Sequence, residues 1–67
     1  MSRRDEVVSF SNVTALHDTE NAVMCKIDGA EMWIPKSQIV PESEVHGMGD
    51  HGTLTITEWF AIQKELV

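Results

Sequence analysis

Residues 22–35 read AVMCKIDGAEMWIP, two alternating apolar segments flanking Asp28-Gly29. An Asp-Gly pair in that setting is the signature of a type I′ turn, where both central residues take positive φ and glycine does so at no steric cost. A two-residue loop sets the register: Ile27 faces Ala30, Lys26 faces Glu31, Cys25 faces Met32, Met24 faces Trp33 and Val23 faces Ile34. Side chains alternate across a strand, so one face collects Val23, Cys25, Ile27, Ala30, Met32 and Ile34 and reads as core. The other carries Lys26 and Glu31 beside Met24 and Trp33. It has two readings: it packs beneath another segment, or it is a docking surface.

Upstream, VVSFSNVTAL at 7–16 is rich in β-branched and aromatic residues. Val8 and Phe10 share a face with Val13 and Ala15 only if an extra residue sits near Ser11-Asn12, which predicts a bulge and a bent strand. HDTEN at 17–21 is a polar turn. Downstream, Pro35 lacks a backbone donor and ends the third strand, and Lys36-Ser37-Gln38-Ile39 closes a short helical turn before Pro41.

PESEVHGMGDHG at 41–52 holds three of the four glycines and reads as a loop, with room for a short strand at Glu44-Val45-His46. TLTIT at 53–57 alternates with Leu54 and Ile56 inward. Thr57 is placed to cap a helix over 58–66, with Glu58 in its first turn. Trp59, Ile62 and Leu66 form the expected buried stripe, with Phe60 on its flank. The fold class is therefore α+β: a small, strongly bent antiparallel sheet or barrel of four to five strands with one C-terminal helix. Residues 1–67 form one domain, with disorder expected at 1–6.

Sixty-seven residues lie near the lower limit for a self-sufficient core. Such a chain buries only about 60% of the surface its unfolded form exposes, which leaves little interior for a substrate pocket and favours binding over catalysis. The single cysteine, Cys25, rules out an internal disulfide and falls on the core face. There is no long apolar run, so the expected compartment is the cytosol, with no membrane partner. The net charge is −6, and residues 42–67 set five acids against Lys64 alone. That balance disfavours direct nucleic-acid binding, whose affinity comes mainly from Lys and Arg at phosphates. It suits a basic protein surface.

No catalytic constellation emerges. Ser37 lacks the strand-to-helix glycine elbow of a nucleophile and reads as a turn residue. The Lys36-Ser37 pair lacks the upstream glycines of a phosphate loop, so Lys36 is a solvated charge or pairs with acids of a partner. His46, Asp50 and His51, with Cys25 and His17, are metal-ligand types, but a structural site normally brings two closely spaced Cys/His pairs. The plainer reading is a solvated loop, with neither metal nor cofactor.

IDGAEMWIPKSQI at 27–39, GTLTITEWFA at 52–61 and KEL at 64–66 together resemble a group of short phage- and prophage-encoded proteins. That group carries a dG-x-x-hWIPKS segment followed, after a variable loop, by G-t-L-x-I-x-x-W-h-A-x-K-x-L. The resemblance spans roughly 22–67 and implies a mobile-element accessory role without an assigned reaction. The first expectation is an inhibitor or modulator of a host protein or nucleoprotein machine, of anti-defence or anti-CRISPR type. In that reading Met24, Trp33 and Lys36 join Glu42, Glu44 and Asp50 as partner-binding residues, the acids steering and the tryptophan anchoring. The alternatives are a small-barrel nucleic-acid accessory in phage replication or recombination, and a structural or assembly subunit that oligomerises through its sheet edges, with a homodimer among the candidate partners.

Overall fold

The computed structural model describes residues 6–66. Four antiparallel strands, β1 (Val7–Asp18), β2 (Ala22–Ile27), β3 (Ala30–Pro35) and β4 (His51–Thr57), form one open sheet in the order β3-β2-β1-β4. A 3-10 turn at Lys36–Gln38 follows β3, and helix α1 (Glu58–Gln63) follows β4 directly. The sheet is not closed into a barrel. Of the stretch expected to be disordered, 1–5 lies outside the described residues, whereas the Glu6 carbonyl accepts from the Glu58 N–H at 2.9 Å.

The hairpin has the expected register from Ile27↔Ala30 to Val23↔Ile34, extended by Ala22↔Pro35. Asp28 at φ 51° and Gly29 at φ 83° supply the two left-handed residues of its turn. The β1 bulge is also where alternation demanded it. Pairing with β4 slips between Phe10 and Val13, with Asn12 at φ 57°. A second slip between Ala15 and His17 separates β1 from β2 by one residue, and local alternation had not marked it. Through these two irregularities one long strand serves two neighbours: residues 7–10 and 13–14 pair with β4, and residues 14–18 with β2, so Thr14 has a partner on each side.

The core occupies one face of the sheet. Val13, Val23, Cys25, Ile34, Leu54 and Ile56 are fully buried there beneath Phe60 and Ala61 of α1 and Val45 of the 41–50 loop. Burial pushes the Cys25 thiol above its usual range, as befits a packed hydrophobe. Thr57 caps α1, its hydroxyl accepting from the Phe60 N–H at 3.2 Å.

The helix corrects the expected stripe. It ends at Gln63 rather than 66, and it buries Phe60 and Ala61 while Trp59 is 50% exposed and Ile62 46%. The cap at Thr57 runs straight on from β4, so the helix phase is set by the strand's inward residues Leu54 and Ile56. Leu66 still packs against the core, but from beyond the helix. Glu65 takes φ 57°, its N–H bonds to the Ile62 carbonyl at 3.0 Å, and the Leu66 N–H bonds to the Ala61 carbonyl at 2.8 Å. That double bond pattern is the left-handed C-terminal cap of an α-helix. Lys64 places its ammonium 5.8 Å from the Phe60 ring centroid, over the rim of the core.

Candidate functional site

Two surfaces carry the residues singled out by the sequence. The first is the sheet face opposite the core. Cross-strand partners share a face, so the register lines up Trp33, Met24 and His17 in one row. Glu31, Lys26, Thr14 and His51 form the next. Thr14 Oγ1 and His51 Nδ1 are hydrogen-bonded at 2.7 Å, which ties the second row across β1 and β4. Trp33 is 45% exposed, Met24 half-buried and His17 exposed. Among the described residues no segment buries Trp33.

The second surface is the strap of residues 39–45 that runs along the free side of β4. No strand forms at Glu44-Val45-His46; the strap holds β4 by a mixture of backbone and side-chain bonds. Ile39 bridges Ile56, the Val40 N–H donates to the Thr55 carbonyl at 3.1 Å, and the Glu44 N–H donates to the Thr53 carbonyl at 2.9 Å. The side chains supply what the strap backbone does not. Ser43 Oγ accepts from the Thr55 N–H at 3.0 Å and donates to the Val45 carbonyl at 3.0 Å; Glu44 Oε1 accepts from the Thr53 N–H at 2.8 Å. Ser43 is buried and the edge of β4 is sealed.

The acids proposed for steering divide on inspection. Glu42 is exposed on the strap, while the Glu44 carboxylate is committed to Thr53. Asp50 Oδ2 accepts from the His46 and Gly47 N–H groups at 2.9 and 3.1 Å, which holds its carboxyl below the usual range. Asp18 Oδ2 takes the next amide, Met48 N–H, at 2.8 Å. Two carboxylates thus fold the 46–48 backbone around themselves. Sequence reading missed the structural use of Ser43, Glu44 and Asp18, although Asp50 following His46-Gly47 at short range is a recognisable side-chain-to-backbone spacing.

The ligand-type residues do not converge. His51 is bonded to Thr14, Asp50 to its own loop and Cys25 lies inside the core on the opposite face. Among the described residues no three His, Cys, Asp or Glu side chains are gathered as a metal site would need. Ser37 and Lys36 are exposed in the turn after β3. The structure thus brings Met24 and Trp33 together with Lys36 at the β3 end of the sheet, and sets Glu42, Glu44 and Asp50 towards the β4 end. Among the described residues no helix is long and apolar enough to cross a membrane. No family model, curated protein or solved structure matches this chain.

Proposed function

We propose that the protein acts by binding rather than catalysis, docking onto a basic surface of a host protein or nucleoprotein machine in the bacterial cytosol and blocking or modulating it. Its resemblance to short phage and prophage proteins makes anti-defence inhibition, of anti-CRISPR type, the concrete form. One observation carries the reading: Trp33 stands 45% exposed beside Met24 and His17, bordered by the charged Glu31 and Lys26. A large aromatic ringed by polar groups is the composition of an interface anchor. The charge of −6 supplies attraction to a basic partner and opposes a polyanion. Because Glu44 and Asp50 also hold backbone amides, Glu42 is the acid whose change tests steering without disturbing the fold.

The test is capture of partners from a bacterial host lysate with and without nuclease, followed by binding kinetics on the purified partner. Trp33→Ala should speed dissociation, at a cost on the order of 2 kcal/mol, while circular dichroism shows an unchanged fold. Glu42→Lys should slow association and flatten its salt dependence. Nuclease-sensitive capture, together with a salt-sensitive oligonucleotide complex of the pure protein, would replace this reading with the nucleic-acid accessory. A folded Trp33 variant that binds as tightly as the parent would remove the anchor.

A further inference from the structure

The two edges of the sheet are treated differently. On β4 every outward group of Thr53 and Thr55 is met by the 39–45 strap, with Ser43 and Glu44 standing in for missing backbone. On β3 no strand pairs with the outer side. The type I′ turn makes Ile27/Ala30 a hydrogen-bonded pair, and the Lys36 N–H donating to the Asn21 carbonyl at 2.8 Å keeps the same parity to the far end. Ala30, Met32 and Ile34 therefore bond inward to β2. Glu31 and Trp33 aim their N–H and carbonyl groups outward, and among the described residues no backbone bond reaches them.

We propose that this edge joins a second copy of the chain, β3 against β3 in antiparallel register about a two-fold axis at Met32, giving one continuous eight-stranded sheet. The sequence of the edge selects the partner and the register. Outward groups pair only through Glu31 and Trp33, which leaves three alignments of the two strands. Setting Glu31 opposite Glu31 of the second copy opposes like charges. Setting Trp33 opposite Trp33 places Glu31 against Pro35, which has no N–H to give. The remaining alignment sets Glu31 opposite Trp33 of the second copy, and conversely, so both residues use both backbone groups. It also sets Met32 opposite Met32 and Ala30 opposite Ile34 on the core face, and brings Asp28 of each turn alongside Lys36 of the other copy. Backbone, apolar face and charge agree on one alignment. It rests on the backbone groups of the β3 edge, and it stands whether or not the Trp33 side chain anchors the partner proposed above.

Sedimentation equilibrium and amide hydrogen exchange test it on the intact protein. The expected result is a mass twice the monomer's in the high-micromolar to millimolar range, with the Glu31 and Trp33 amides protected when concentrated and exchanging freely on dilution. Added salt should tighten the dimer, because each copy carries −6 and the two repel at long range. Glu31→Pro removes an N–H that β2 does not use and should yield a monomer with the hairpin intact. Should proline unfold the hairpin, Lys36→Asp, on an exposed side chain, sets acid beside acid at both ends and should weaken the dimer several-fold. A monomer throughout the range, or a dimer whose Glu31 and Trp33 amides still exchange freely, overturns the proposal. So does protection of those amides only when a captured partner is added, which would give the edge to a foreign strand.

Discussion

Replacing Ser43 with alanine removes one oxygen and tests whether the strap is what completes the sheet. Ser43 Oγ is the acceptor for two buried amides, Thr55 N–H at 3.0 Å and Val45 N–H at 3.2 Å, and its proton satisfies the Val45 carbonyl. Alanine fits the space but answers none of these groups. Each buried amide left unmet costs about 1–3 kcal/mol, so the pair is worth about 2–4 kcal/mol once partial relaxation is allowed. A domain of 67 residues has about 3–10 kcal/mol of stability in total. The loss is therefore a large fraction of the whole. With a urea m-value of about 1 kcal/mol/M, the midpoint should fall by about 2 M or more. Far-UV circular dichroism is the suitable probe, because both tryptophans are half-exposed and report the interior poorly. Ser37→Ala is the matched control: exposed in the 3-10 turn, it should stay within about 0.5 kcal/mol of the parent. If Ser43→Ala unfolds at the same urea concentration as that control, water reaches these amides and the strap does not seal β4.

Three further outcomes follow from the geometry. Phe60→Ala should cost about 3–5 kcal/mol as a core deletion, whereas Trp59→Ala should cost under about 1 kcal/mol; the reverse order in denaturant melts would restore the stripe expected from spacing. Glu65→Gly should raise stability by about 0.5–1 kcal/mol, since glycine takes the φ of 57° without a Cβ penalty, and a lower melting temperature would refute the cap. Asp50 has its folded carboxyl pKa depressed below 3.8 by the His46 and Gly47 amides, so its contribution is present above that value and lost as pH falls through the folded pKa. Acid titration of stability should be shallower for Asp50→Asn than for the parent; identical slopes would mean that the loop does not use the charge.

What could be read from the chain and what could not divide along a physical line. The hairpin was legible because its information is local: Asp28-Gly29 specifies the turn, and alternation carries the register outward from it. The Asn12 bulge was legible because parity fails there. The strap was not, since Ser43 and Glu44 hold β4 with side chains, and nothing in PESEV alternates or repeats. The face of α1 was misread because six residues give too few positions for a period to outweigh the phase inherited from β4. At the candidate site Met24 and Trp33 were correctly placed side by side, but their exposure depends on where the helix and strap lie, which is a tertiary fact. Glu44 and Asp50 looked like free charge because a carboxylate bonded to an amide has the same sequence as one in solvent.

The double duty of β1 also shapes how the chain folds. Its C-terminal half meets β2 across a three-residue turn at 19–21, since His17 and Asp18 of the expected polar turn are paired in the strand, whereas Val7 must find Thr57 across nearly the whole chain. The hairpin and its β1 partner are assembled from near neighbours, with little closure entropy to overcome. The β1–β4 ladder closes a loop that contains everything else, and α1, capped on the last residue of β4, takes its packed position only once that ladder is in place. Contact distance along the chain therefore predicts that the slow step of folding is the pairing of β4 with β1, so variants that weaken this ladder should slow refolding more than variants in the β2–β3 turn. Until that pairing forms, β1 has a second bare edge, and the strap that will shield β4 has no strand to shield.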